Sequence, residues 1–587
     1  MNNKQIKHVA SYHVGHPNPQ KYRKQYTLLN GIWKFVFDQE DKGLDLGYQI
    51  DFPKEHLPID VPYAYQCEKS GINLPEKQCD VVWYEKEFEI TDTSLVNIIT
   101  FLSIDYLATV FVNGKYVMIH EGGYDIFKVD LTDYAICGKN KITLRIEDTM
   151  HIDQIRGKQR WRRDSFTCFY PEASGIVRDV YLESLNTSHI SDFSFKADYL
   201  SKLLSVKLQA TTQKDTELQI IVTESDGRIM SDDTFEITKE GNYVINYEEI
   251  KGWSYDNPYL YNVVLKLHCN GQLMDEIYSY VGFTSVRIQD KHFYINGKDT
   301  YLKFVLDQGY YGGTLTTPTE QQIINDTQLM MDCGFNGARK HEHTPSPLTF
   351  YYMDLYGLYV WQECPSAHGY SYYANLQYRK QYPRIIQDHI SHPCIIGYVI
   401  FNESWGINEI SESMEIQDMT VEMYNSIKRQ VGDRIVISND GWEHTISDII
   451  TFHNYAETYD ALVKELQENL LAMYNGENTE CILNWKRFFA GNYRYKEQPV
   501  MHSEFAGICM NVDKQEGWGY GKSVEDSNGF LNKYADQLLF ILEHEEIRGL
   551  CMTQLSDVFQ EKNGIVTMDR RIKVDPLRLK ELHNRFK

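Results

Sequence analysis

Up to about residue 185 the apolar positions come in short alternating runs broken by turn residues, the pattern of half-buried strands in an all-β sandwich. Ala108-Thr109-Val110-Phe111-Val112-Asn113-Gly114-Lys115 reads as a hairpin, because Asn-Gly supplies the positive φ angles of a type I′ turn. Alternation continues from about 186 to 286. There Trp253 to Tyr261, a Pro-containing turn, leads into Asn262 to Leu267, as in a small immunoglobulin-like β-sandwich. Near Phe283 the period changes. From Tyr301 onward strand-like runs alternate with helical ones, which predicts βα units on a parallel sheet. Strands are expected near 301–306, 335–339, 358–362, 395–402, 434–438, 448–453, 499–504 and 549–554, and eight is the number of a TIM barrel. Ser523-Val524-Glu525-Asp526 reads as a capping box with Asp in the place of Glu. Leu531, Tyr534, Leu538 and Ile541 follow at helical spacing.

The carboxyl ends of barrel strands are where such folds keep their chemistry, so those ends predict the pocket. The run from Gly397 to Phe401 is continuously apolar and stops on Asn402 and Glu403, with Trp405 and Gly406 behind. A second short apolar run ends on Glu504. The two glutamates lie 101 positions apart (504 minus 403), room for two or three βα units, which suits strands four and seven. Glycosidic bond cleavage asks for such a pair of carboxylates. The other expected strand ends bring Asp307, Arg339, His341, Glu363, Asp440, Trp442, His453 and Tyr455 to the same rim. Carboxylates, amides and aromatic rings suit a neutral polyol, with hydrogen bonds to hydroxyls and rings against C–H faces. His341 and His343 suggest zinc only weakly, since two histidines at i and i+2 lack a third ligand; no metal is expected.

Composition narrows the class. A chain of 587 residues is expected to divide into three or four domains. The net charge of -23 argues against a nucleic-acid surface. Eleven cysteines without Cys-x-x-Cys spacing read as reduced thiols. Met1 to Gln20 lacks the apolar run of a signal peptide, and no segment reaches 18 apolar residues. A cytoplasmic protein without membrane contact is the expectation.

Asn402-Glu403 after His392-Pro393-Cys394-Ile395, together with the Glu504 strand, resembles glycoside hydrolase family 2. Trp83-Tyr84, Glu121-Gly122-Gly123-Tyr124 and Ser174 to Val180 resemble that family's jelly-roll domain, and Trp518-Gly519-Tyr520-Gly521 resembles part of its barrel. The resemblance implies a jelly-roll β-sandwich over 1–185, an immunoglobulin-like β-sandwich over 186–286 and a catalytic TIM barrel over 287–587. It also implies a retaining mechanism with Glu403 as general acid/base and Glu504 as nucleophile. Arg339 would hold Glu504 ionised, Tyr455 would orient it, and Asn402 would bond the sugar 2-hydroxyl. Trp405, Trp518 and Gln554, the last in place of the family's usual Trp, join the expected substrate-binding residues. Gln159-Arg160-Trp161-Arg162-Arg163 is a basic aromatic loop placed to reach the barrel mouth. Where glucuronidases carry Asn-x-Lys against the sugar carboxylate, Glu561 and Asn563 stand here with Lys562 between them, which disfavours a uronic acid. A cofactor-free exo-glycosidase for a neutral sugar follows, β-galactoside first, and a homo-oligomer is open. Glucuronide, mannoside, xyloside and arabinoside specificities are alternatives. Rivals of other classes are a non-catalytic carbohydrate-binding protein and a metallohydrolase built around His341.

Overall fold

The computed structural model describes residues 15–586 apart from 214, 483, 484 and 515. The first 14 residues of the stretch read for a leader lie outside them. Among the described residues no helix is long and apolar enough to cross a membrane.

The first domain is two antiparallel sheets on one core. The four-stranded sheet runs in the order Tyr26–Leu28, Val180–Leu185, Val96–Phe101, Phe127–Asp130. The six-stranded sheet runs in the order Leu57–Val61, Gly31–Phe37, Val81–Ile90, Gly138–Glu147, Leu107–Val112, Lys115–Glu121. Trp33, Phe35 and Tyr84 from the second sheet meet Ile99, Phe101 and Leu182 from the first, all buried. Val112 pairs with Lys115 across Asn113 (φ 51°) and Gly114 (φ 80°), so the expected hairpin turns through two left-handed residues, as a type I′ turn requires. The second domain is a smaller sandwich of three and four strands. Leu203–Thr211 points every second residue inward, against Val263, Leu265 and Ile277 of the opposite sheet.

Eight parallel strands then form a single sheet in chain order: Leu302–Asp307, Gly337–Lys340, Tyr359–Glu363, Ile395–Asn402, Ile435–Asp440, Ile450–His453, Val500–Ala506 and Ile547–Thr553. The first pairs with the eighth, Leu302 opposite Gly549. Between the fifth and sixth the ring is completed by Asp448 N to Val436 O at 2.9 Å and His453 N to Gly441 O at 3.3 Å. Every residue of the fourth strand is buried, because the barrel interior and the helices outside cover both of its faces. The eight strands stand where the hydrophobic runs put them, each bound within two residues. The helix Ser527–Glu543 starts later than the capping box implied. Asp526 is the cap, accepting from Gly529 N at 2.8 Å, while Ser523 Oγ donates to Cys509 O at 3.2 Å. An aspartate already at the N-cap position satisfies the orphan amide, and no reciprocal box forms.

The domains dock through polar hubs. Asp354, on helix Pro347–Tyr356, accepts from Tyr280 Oη at 2.8 Å and Cys394 N at 2.9 Å, and meets His392 Nδ1 at 2.6 Å. Its carbonyl takes Trp253 Nε1 at 2.8 Å. The second sandwich is thereby fixed to the barrel. The first domain sends the segment after Glu147 over the barrel mouth, where Gly157 N donates to Ser366 O at 2.9 Å and Gly157 O meets His368 Nε2 at 2.7 Å.

Candidate active site

Arg339, the penultimate residue of the second strand, is fully buried and organises the carboxyl face of the barrel. Its Nε donates to Glu363 Oε1 at 2.7 Å and its Nη1 to Glu504 Oε1 at 3.1 Å and Ser503 O at 2.7 Å. Nη2 reaches Asp440 Oδ2 at 2.7 Å and Asn402 Oδ1 at 3.2 Å. Five donors in a fixed fork suit this role, which lysine's point charge does not. Burial opposes the guanidinium charge, yet Asp440, Glu363 and Glu504 hold its pKa well above the ordinary arginine value.

His453 closes the ring from the sixth strand, with Nδ1 2.8 Å from Glu403 Oε1 and Nε2 2.8 Å from Asp440 Oδ2. Burial works against its protonation, but Glu504 and Asp440 outweigh that and its pKa rises to about 10. The ring is an imidazolium at neutral pH, donating on both sides. Oxygens of Glu403 and Glu504 and a nitrogen of His453 all lie within 4.8 Å of one another, the group of possible metal donors among the described residues. His343 Nδ1 faces the His341 carbonyl at 3.1 Å and His341 Nδ1 faces Glu363 at 2.9 Å, so those two histidines are committed separately.

Glu403 leaves the fourth strand in left-handed backbone (φ 51°), followed by Ser404 (φ 61°). Glu403 N donates to Asp440 O at 2.9 Å and Ser404 N to Asn439 Oδ1 at 3.0 Å, so the fifth strand pins this turn. The side chain of Glu403 is 19% exposed and that of Glu504 6%. Tyr455 Oη donates to Glu504 Oε2 at 2.6 Å, and its ring stacks on Tyr520 at 3.5 Å. Asn402 Nδ2 is buried without a partner among the described residues, a free donor beside the two glutamates.

Of the expected site residues, Glu403, Glu504, Arg339, His341, Glu363, Asn402, Asp440, His453 and Tyr455 thus belong to one network. Trp442 packs edge-on to His453 at 5.5 Å, and Trp405 lies 6.0 Å from His341. Trp518 packs on Tyr520 and donates to Thr167 O. Gln554 is spent on both ends of its amide, toward Asn563 at 2.6 Å and from Gln308 at 2.6 Å. Asp307 stands apart, taken by Lys340 Nζ at 2.6 Å and Gly309 N at 2.9 Å. Glu561 is buried and accepts from Tyr170 Oη and, at 2.9 Å, from Asn563 Nδ2. The loop read from Gln159 to Arg163 does reach the mouth, with Trp161 stacked on His368 at 4.1 Å. Lys158 and Tyr170 were not singled out from sequence, and Tyr520 entered only within the Trp518-Gly519-Tyr520-Gly521 motif. The reach of this first-domain loop was legible from its basic and aromatic residues, but not which of its neighbours meet the pocket.

Family models for glycosyl hydrolases family 2 match throughout: the sugar binding domain over 26–186, the family's own model over 188–283 and the TIM barrel domain over 286–587. A putative beta-glucuronidase of Formosa agariphila is 24% identical over 72% of this chain and 53% of its own length. A beta-galactosidase of Thermoanaerobacter pseudethanolicus is 28% identical over 68% of this chain and 53% of its own. The chain therefore spans about half the length of these curated relatives. A beta-glucuronidase of Bacteroides fragilis is 23% identical over 94% and 80% of the two chains. The solved β-glucuronidase of Ruminococcus gnavus in complex with D-glucuronic acid superposes with a TM-score of 0.79 at 18% identity, covering 96% of this chain and 98% of that one. At that identity the superposition speaks for the fold alone.

Proposed function

Because the chain belongs to glycosyl hydrolase family 2, we propose that it is a retaining exo-β-glycosidase for a neutral terminal sugar, a β-galactoside first. The observation that carries this is the approach of Glu403 and Glu504, with oxygens within 4.8 Å. Retention asks for carboxyl groups about 5–5.5 Å apart, whereas inversion leaves about 6.5–9.5 Å for a water.

In the first step a Glu504 oxygen bonds to the anomeric carbon as the bond to the leaving oxygen breaks, and the proton of Glu403 passes to that oxygen. Arg339 and Tyr455 hold Glu504 on line. In the second step water attacks the same carbon, Glu403 takes its proton, and Glu504 leaves as a carboxylate. His453 occupies Glu403 Oε1, which leaves Oε2 for the proton transfers. Asn402 Nδ2 is free to bond the sugar 2-hydroxyl, a contact that strengthens as the oxocarbenium-like state develops.

Neutrality rests on Glu561, a buried carboxylate where glucuronidases present an amide and a lysine. A glucuronide is the second reading, favoured by the relatives named beta-glucuronidase. A panel of nitrophenyl glycosides tests both. Turnover is expected on at least one neutral sugar, above the glucuronide and unaffected by chelator. Inactivity across the panel supports a carbohydrate-binding protein, preference for the glucuronide overturns neutrality, and loss with chelator returns the metallohydrolase.

A further inference from the structure

Lys158 is 6% exposed, yet among the described residues no carboxylate comes within 4.0 Å of its ammonium. It sits 4.3 Å over the Trp405 ring and 5.4 Å from that of Phe169. Burial opposes its charge, but Cys168, Glu561, Glu403 and Glu504 lift its pKa above the ordinary lysine value. Trp405 lies two residues after Glu403, and Tyr170, whose N donates to Lys158 O at 3.0 Å, gives its hydroxyl to Glu561. The ammonium thus sits between the turn that carries Glu403 and the loop that carries Glu561, with donor capacity that a thiol and aromatic faces leave unfilled. A buried cation without a contact ion pair is costly, and such groups are kept where a ligand completes them.

Resting on the neutral-sugar reading above, we propose that Lys158 binds substrate: with Glu561 it forms a donor and acceptor pair that reads the exocyclic end of an uncharged sugar ring. Glu561 accepts from Tyr170, from Asn563 and, at 3.4 Å, from Gln308 Nε2, and a carboxylate has about four lone-pair sites, so about one remains for a substrate hydroxyl. A hydroxyl accepts from the lysine and donates to the glutamate. A C6 carboxylate would attract one and repel the other. Neutral specificity is thereby set by a lysine of the first domain balanced against a glutamate of the third.

The test is a double-substitution cycle read on neutral and glucuronide nitrophenyl substrates. Lys158→Met alone is expected to lower kcat/KM on the neutral sugar about 10- to 100-fold, mainly through KM, as the loss of one charge-assisted hydrogen bond gives. Its melting midpoint should be unchanged or raised, since an uncompensated buried charge has gone. Glu561→Gln should raise the glucuronide-to-neutral ratio of kcat/KM by about tenfold or more, because the lysine then acts unopposed. Adding Lys158→Met to Glu561→Gln should return that ratio to its wild-type value. A ratio unmoved by Glu561→Gln, a gain that persists in the double variant, or neutral turnover unaffected by Lys158→Met would each overturn the proposal. The wild-type preference alone decides the neutral-sugar reading, so the two fail separately.

Discussion

Glu504 and Glu403 differ in their partners in the way the proposed roles require. Glu504 is held by a guanidinium, a phenol and a nearby imidazolium, Glu403 by one ring nitrogen and the solvent side of the pocket. Glu504→Gln is expected to lower kcat by about 10⁴-fold or more on every substrate, as the loss of a nucleophile does. Glu403→Gln should cost about 10²- to 10⁴-fold on alkyl glycosides but far less on dinitrophenyl glycosides, whose leaving oxygen needs no proton. Equal and modest losses on both substrates would remove both assignments. The pair was legible because each carboxylate ends an apolar run, a placement that strand periodicity exposes. His453 was legible only as a strand-end residue, whereas Arg339 was also expected, through the family resemblance, as the cation beside Glu504, which it meets at 3.1 Å. That one guanidinium would serve Glu363, Glu504 and Asp440 together depends on barrel closure, which no local pattern encodes. Asp307 shows the converse: it ends a strand like the others, yet the adjacent Lys340 claims it.

At the scale of elements, the barrel strands were readable because burial on both faces leaves continuous apolar runs, and the hairpin at Asn113 because its turn needs two left-handed residues. The segment from Arg156 to Tyr170 was only half readable. Its basic and aromatic character marked a mouth-facing loop, but its conformation is set by the barrel loops it lies on. Gly157 fixes that conformation: it holds φ 59°, and a Cβ there would overlap the Glu342 carbonyl oxygen. Gly157→Ala is expected to cost about 1–3 kcal/mol of stability and to lower kcat/KM by displacing Lys158 next to it. Gly114→Ala is the control, since its Cβ would meet nothing closer than 3.4 Å at the far hairpin. It should cost about 1 kcal/mol through its positive φ alone and leave kcat/KM at the wild-type value. Thermal melts and initial rates on both variants check this, and a Gly157→Ala enzyme with unchanged kcat/KM would detach the loop from the site.

At the scale of the molecule, residues of the first domain and of the barrel meet at the candidate site, and one junction between domains carries a buried carboxyl that links stability to pH. Asp388, on helix Tyr372–His389 of the barrel, accepts from Ile126 N of the first domain at 2.8 Å. Asp125 and Lys21 of the first domain and Asp192 of the second also face it. Burial pushes its pKa up to about 8, the Ile126 amide opposing and Asp125 assisting. A carboxyl whose folded pKa lies above its unfolded value of 3.8 contributes stability that is complete below 3.8 and declines with rising pH until it is lost above about 8. The wild-type melting midpoint should therefore fall between pH 6 and pH 9 more steeply than that of Asp388→Asn, whose amide keeps the acceptor for Ile126 and cannot ionise. Other raised groups, Glu342 at about 8 and His453 at about 10, pull the same way in both proteins, so the difference between the two curves isolates Asp388. Parallel curves would show that the junction is indifferent to this proton.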